Sequence, residues 1–170
     1  VLMSTNPAGA QVVTTRGNET TVDFEFNDRG RGPKLHTVMR VDRRGVPVSL
    51  ETTGNDYYKV NVEERLTTAG DQVSWKNTAE SGQGKAGAFY SSMYGPPEES
   101  AALARALLKA GGKLALHPGG EASIRKVGEE NVRGTHVTAY EIAGLGFTPS
   151  EVWLDDDLQL FRALSSWASA

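Results

Sequence analysis

The sequence predicts a mainly β fold: a curved antiparallel sheet or half-barrel meander with one helix packed on its concave face. Three observations carry that expectation. Between Val22 and Trp75 apolar and polar residues alternate in successive runs: Val22, Phe24 and Phe26; then Val38 and Val41; then Val46, Val48 and Leu50; then Tyr58, Val60 and Val62. A period of two places neighbouring side chains on opposite faces, so each run reads as a strand buried on one face. The runs break at Gly, Asn and Asp, residues that turn a chain into a hairpin. Only one stretch, after Gly95, has the composition of a helix.

Val1–Met3 and Gln11–Thr15 read as strands, joined by a tight turn at Asn6-Pro7-Ala8-Gly9, where Pro presets φ. Gly17-Asn18 leads into a strand from Thr20 to Asn27, Asp28 to Pro33 is a loop, and His36 to Asp42 is the next strand. Arg43-Arg44-Gly45 turns into Val46–Thr53, and Gly54-Asn55-Asp56 turns into Tyr57–Thr68. Ala69-Gly70-Asp71 precedes Gln72–Asn77, and Ser81 to Gly87 reads as a flexible Gly/Lys segment.

The helix is expected over Pro97–Ala110. Pro97 suits a first helical position, and Glu98 and Glu99 suit the positive end of the helix dipole. Leu103, Leu107 and Ala110, with Ala104 and Leu108 beside them, make one apolar stripe, and Gly111-Gly112 supplies a C-terminal cap. Strand patterns resume at Lys113–Leu116, Glu121–Val127, His136–Ile142, Glu151–Leu154 and Leu158–Trp167. The expected core is Phe24, Phe26, Val48, Leu50, Trp75 and Phe161. Burying each large apolar side chain contributes roughly 1.5–3 kcal/mol.

A chain of 170 residues fits a single β-rich domain, 1–170, with both ends reading as truncated or processed inside strands. Its net charge of −3 is spread without a basic stripe, which argues against nucleic acid as a partner. No apolar run approaches the roughly 20 residues of a membrane-spanning helix. Cysteine is absent, excluding a disulfide framework and thiolate-held metal.

Candidate sites are few. His36, His117 and His136 lie 81 and 19 residues apart in sequence, without the close pairing expected of a strand-borne metal site. Asp155-Asp156-Asp157 lacks the alternating oxygens and glycine of a calcium loop and reads as a solvated hairpin turn. Gly144-Leu145-Gly146-Phe147 resembles a PDZ carboxylate-binding loop, but too little chain follows it, and it also fails the G-x-G-x-x-G pattern. Arg29-Gly30-Arg31-Gly32-Pro33-Lys34 offers cations without a following helix N-terminus, so a structural loop is expected. Glu63 and Glu64 must point to opposite faces, whereas Glu63 and Arg65 share one and are expected to form a structural ion pair. Asn18-Glu19-Thr20 is a formal glycosylation sequon, and no G-x-S-x-G elbow occurs. No nucleophile, base and orienting group are set together, so no catalytic, cofactor-binding or metal residue is assigned.

Several stretches acquire meaning together: Phe26–Pro33, Gly54–Tyr57, Val62–Arg65, Trp75–Asn77, Gly95–Glu98, Ala104–Leu108, Gly144–Pro149 and Val152–Asp155. In order and spacing they resemble the N-terminal β region that precedes the barrel in bacterial exported amidohydrolases, imidazolonepropionase-like metal-dependent hydrolases of C–N bonds. The resemblance implies a non-catalytic accessory or interaction domain, periplasmic or otherwise exported. Its partner would be the amidohydrolase barrel, in the same polypeptide or complex, and homo-oligomer formation is a further option. The divalent metal is expected in the barrel, whose H-x-H ligands have no match here, so this chain is expected to hold no cofactor. The architecture is also similar to periplasmic sheets that wrap a helix, including lipoprotein carriers. The alternative expectation is therefore a carrier or binding module holding an apolar ligand between sheet and helix.

Overall fold

A computed structural model of the chain describes residues 1–3 and 6–164. It is mainly β, as the alternation predicts, but the strands divide between sheets. A small hairpin pairs β1 (Leu2–Met3) with β2 (Asn6–Pro7). Asn6 and Pro7 are thus paired strand residues rather than the expected turn. Next comes a seven-stranded antiparallel meander in chain order: β3 (Gly9–Arg16), β4 (Glu19–Phe26), β5 (Lys34–Val41), β6 (Pro47–Asn55), β7 (Asn61–Ala69), β8 (Gln72–Lys76) and β9 (Ser81–Lys85). Two-residue and slightly longer turns connect neighbours, which is the topology that short loops between alternating strands impose.

The second sheet has six strands: β10 (Phe89–Tyr90), β11 (Lys113–His117), β12 (Glu121–Val132), β13 (Thr135–Ala143), β14 (Ser150–Asp155) and β15 (Leu160–Leu164). Between β10 and β11 runs the helix α1 (Pro97–Lys109). Phe89 pairs with Leu116 and Tyr90 with His117 in parallel, so β10, α1 and β11 form a crossover unit inside an otherwise antiparallel architecture. The end of the expected strand Leu158–Trp167 beyond Leu164 lies outside the described residues.

The helix starts where the prolines place it, with Pro96 at the N-cap in extended conformation. It ends one residue earlier than expected, at Lys109. There Gly111, at φ 77°, lets its N–H reach Leu108 O (3.3 Å) and that of Gly112 reach Leu107 O (2.8 Å). These are the two bonds of a Schellman cap, which satisfies carbonyls the helix end leaves open.

The helix buries more than the expected single stripe. Ala101, Ala102, Leu103, Ala104, Ala106 and Leu107 are all buried, whereas Leu108 and Ala110 lie outside that set. The reason is that both sheets contribute to the core. Met39, Leu50, Leu66, Val73 and Trp75 from the first sheet pack with Phe89, Tyr90, Leu116, Ala122, Ile142, Val152 and Leu154 from the second, with helical alanines and leucines among them. Small alanine side chains are what close approach to layers on several sides requires.

Four of the expected core residues sit elsewhere. Leu50 and Trp75 are buried, but Phe24, Phe26 and Val48 are only half-buried, and Phe161 is exposed. On β5 the buried face is Leu35, Thr37 and Met39, with Thr37 bonded to Thr52 across β6 at 2.9 Å, rather than the face of Val38. A register shift between Arg40 and Val41 breaks the simple alternation. Tyr58 and Val60, expected in a strand, lie in the β6–β7 turn. Ser81–Lys85, expected to be flexible, is the paired strand β9.

Candidate functional site

Strand β7 alternates exposed and buried residues, and the buried face reads Val62, Glu64, Leu66. A carboxylate thus occupies an apolar position, 2 % exposed. Burying an ion without partners is costly. Glu64 has partners: Tyr90 Oη donates to its Oε1 at 2.7 Å, Met93 N–H to Oε1 at 2.9 Å, and Tyr94 N–H to Oε2 at 3.1 Å. Beside it, Glu99 in the first turn of α1 accepts the Ser92 N–H at 2.8 Å. The two carboxylates thereby hold three consecutive amides of the loop between β10 and α1.

This arrangement shifts two groups. Burial pushes the Glu99 carboxyl up to about 7, and the neighbouring Glu64 charge adds to that, against the lowering effect of the Ser92 bond. Burial also raises the Tyr90 phenol far above its ordinary value, with the Glu64 bond acting in the same direction. Glu99 Oε2 and Ser92 Oγ are enclosed without a hydrogen-bond partner among the described residues, as is Trp75 Nε1. The cluster is a loop clamp, with Glu64 accepting from main chain and from Tyr90.

On the preceding residue of the helix a second acid, Glu98, is buried against a half-buried arginine. Arg105 Nη2 lies 2.5 Å from Glu98 Oε1, and Arg105 Nη1 donates to Leu158 O at 3.0 Å. The Glu98 N–H donates to Gln11 Oε1 at 3.0 Å, joining the helix N-terminus to β3.

The residues singled out by sequence fall into separate places. His36 Nδ1 lies 2.8 Å from Asp23 Oδ1, and His136 Nδ1 lies 2.6 Å from Asp156 Oδ1. His117 Nε2 lies 2.8 Å from Lys85 O, and its ring stacks on Trp75 at 5.0 Å. Among the described residues no three His, Asp or Glu side chains are grouped to hold a metal. Asp155 organises the β14–β15 turn by accepting the N–H groups of Asp157 (3.0 Å) and Gln159 (2.8 Å). Gly144–Pro149 is the β13–β14 connection, with Phe147 thrust fully into solvent. Glu63 and Arg65 share a face, yet the expected ion pair does not form: Arg65 Nη2 goes to Glu51 Oε1 on the neighbouring strand at 3.0 Å.

Two stretches distant in sequence do meet. Asp28 and Arg31 exchange backbone hydrogen bonds of 2.7 and 3.0 Å around Arg29-Gly30, both at positive φ (54° and 88°), as a type I′ hairpin turn requires. Against this turn packs the β6–β7 turn. Tyr57 Oη donates to Asp28 Oδ2 (2.7 Å), Gly32 N–H donates to Tyr57 O (2.9 Å), and Asn55 Nδ2 and Lys59 Nζ reach Gly32 O at 3.2 and 2.7 Å. Arg31 lies over the Tyr57 ring, 5.4 Å from its centroid. Asp56 accepts the Tyr58 and Val60 amides through one oxygen at 2.8 and 2.9 Å. The result is a braced tip on which Tyr58 is 71 % and Val60 60 % exposed. Arg29 and Arg31 make no ion pair among the described residues.

Comparison with known protein families, curated proteins and solved structures finds no match. Function must therefore be argued from the chain itself.

Neither described depression offers a ligand pocket beside the helix. One, of about 440 Å³, is open and lies over β7–β9, where Arg65, Ser74, Lys76 and Gln83 line it. Ala101, Ala104 and Leu107 on the helix, and Ile142 and Leu154 on the strands, are 0 % exposed, leaving no water-sized gap against them. The apolar-ligand reading finds no cavity there among the described residues. Among the described residues no helix is long and apolar enough to cross a membrane.

Sequence reasoning missed Glu64, Glu99 and Tyr90. The signal available was Glu64 itself, a carboxylate between Val62 and Leu66 on the face that alternation assigns to the core.

Proposed function

We propose that this chain is a non-catalytic accessory and interaction domain of an exported, metal-dependent amidohydrolase, and that it docks on its partner through the paired tips of β4–β5 and β6–β7. The observation that carries the reading is the tip. Two of the stretches behind the amidohydrolase resemblance, Phe26–Pro33 and Gly54–Tyr57, are neighbours in space and brace each other through side chain and main chain. What they present is an exposed Tyr, an exposed Val and two arginines that make no ion pair among the described residues. Tyr and Arg dominate binding energy at interfaces, and a pre-ordered surface loses little conformational entropy on docking.

The non-catalytic part is supported by how the buried acids are used. Glu64 accepts three bonds and Glu98 is neutralised by Arg105. In the parent enzyme the divalent metal would belong to the barrel, and this domain would shape access to it or mediate assembly.

The test begins with the gene beyond codon 170. If the frame enters a barrel bearing an H-x-H strand, domain and barrel are expressed as separate chains and titrated calorimetrically. Binding that Tyr58→Ala or Arg31→Ala weakens by about tenfold or more, the loss typical of a hot-spot residue, supports the reading. A frame without a barrel, or metal-dependent hydrolysis by the isolated chain, overturns it.

A further inference from the structure

We infer that β3 is a dimerisation strand, pairing antiparallel with β3 of a second copy about a two-fold axis through Val13. The inference is independent of the amidohydrolase reading. β3 is the outer strand of the seven-stranded sheet, and among the described residues β4 is its one strand partner. Sheet edges left open are normally shortened, bulged, or marked with Pro or Lys, because an unpaired row of N–H and C=O groups templates further pairing. β3 carries none of these devices. It is 8 residues long, pairs with β4 in unbroken register, contains no Pro or Lys, and has its single charge at the last residue, Arg16. The opposite edge, β9, is 5 residues long and ends in Lys85.

The hairpin settles which groups face outward. Arg16 and Glu19 flank the two-residue turn Gly17-Asn18, which makes them a hydrogen-bonded pair with their main-chain groups turned toward each other. Alternation then turns Thr14, Val12 and Ala10 toward β4, and Thr15, Val13 and Gln11 toward the open edge. Two bonds agree with this phase: Ala8 O accepts from Asn27, on the β4 side, whereas Gly9 O accepts from the Val1 amine on the other side at 3.0 Å. Past Gly9 the edge is open among the described residues.

A second β3 fits it. With Val13 opposite Val13 of the other copy, Gln11 falls opposite Thr15, and Thr14 opposite Val12. All three outward residues then exchange both of their main-chain bonds, giving six in total across the axis by the ladder rule. On one face two valines meet between Gln–Thr pairs, and on the other β-branched Val and Thr meet, the pairs that stabilise antiparallel ladders. Arg16 falls opposite Ala10, so no like charges are opposed. Val12 and Val13, 59 % and 37 % exposed in the single chain, gain cross-strand neighbours along their open flank.

Pairing along one strand buries less than a permanent interface does, so a concentration-dependent dimer with micromolar dissociation is expected. The test uses the cysteine-free background. Sedimentation of the full chain over a hundredfold concentration range should show monomer and dimer, and Val13→Lys should raise the dissociation constant at least tenfold, with circular dichroism unchanged. Under mild oxidation Val13→Cys should yield a disulfide-linked dimer. Val12→Cys should not, because that register offsets the two Val12 residues beyond disulfide reach. Monomer throughout, or equal cross-linking of the two variants, overturns the proposal. So does a longer natural form in which upstream residues protect the amides of Gln11, Val13 and Thr15 in a monomer.

Discussion

Glu64 and Glu99 divide one loop between them: Glu64 takes the N–H groups of Met93 and Tyr94, and Glu99 takes that of Ser92. β7 and α1 are thereby fixed to the same stretch of main chain. Because Glu64 is buried, its removal exposes the cost of every donor it satisfies. Glu64→Leu should leave the Tyr90 O–H proton and two amides without an acceptor and destabilise the protein by about 3–5 kcal/mol in urea unfolding. Glu64→Gln, which keeps one acceptor oxygen and turns an NH₂ toward donors, should cost about 1–3 kcal/mol. A loss below half a kilocalorie for Glu64→Leu would mean the loop is held by something else.

The Glu99 carboxyl titrates near 7 because it is buried and faces the Glu64 charge, against an ordinary value of 4.5. An acid whose pKa is raised in the folded state binds more protons there than in the unfolded chain. Its contribution is fully present below pH 4.5 and is lost as pH rises through 7, on the order of 3 kcal/mol across that window. Urea midpoints should therefore fall between pH 5 and pH 8, with Tyr90 unaffected because its phenol stays protonated throughout. Glu99→Gln should flatten the profile and be the more stable form at pH 8. An unchanged slope in the variant would assign the pH dependence to other groups.

The alternation of Val22 to Trp75 made the meander legible, because one-sided burial writes a period of two directly into sequence. It did not reveal which residues end a strand. Tyr58 and Val60 continue the apolar alternation of Val62, yet Asp56 captures both of their amides and bends them into a turn. β9 was hidden for the opposite reason. Ser81-Gly82-Gln83-Gly84-Lys85 lacks apolar residues, because the large side chains that cover it come from Trp75 and His117. Glu64 read as an ordinary strand acid, since its partners lie 26 to 30 residues further on and only tertiary structure brings them near. The division into two sheets was illegible as well. The crossover that opens the second sheet rests on the parallel pairing of β10, a strand of 2 residues.

Gly82 offers a direct check on that packing. A Cβ added there would lie 2.3 Å from Trp75 Cζ2 and 2.5 Å from Cε2, well inside contact distance. Trp75 is itself clasped by Tyr90 at 6.1 Å and His117 at 5.0 Å between ring centroids, so the indole has little room to yield. Gly82→Ala should cost about 1–3 kcal/mol, the usual penalty of overpacking, and alter Trp fluorescence. Gly134→Ser should leave the fluorescence unchanged, because nothing lies within 4 Å of the added carbon, although its positive φ of 89° adds strain.

The Glu98–Arg105 pair tests how the helix is tied to the second sheet. The Glu98 side chain is 5 % exposed and Arg105 23 %, and Arg105 also donates to Leu158 O in the β14–β15 connection. Arg105→Ala strips the buried carboxylate of its counter-ion and should cost about 3–5 kcal/mol. Removing both charges together, with Glu98→Gln and Arg105→Met, should cost less than Arg105→Ala alone, because no ion is then left uncompensated. The residual loss should come from the Leu158 carbonyl, which loses its donor, at about 1 kcal/mol. Thermal unfolding of the single and double variants separates these contributions. Additive losses across the cycle would show that Glu98 keeps its charge without Arg105, through solvent that reaches it once the guanidinium is gone.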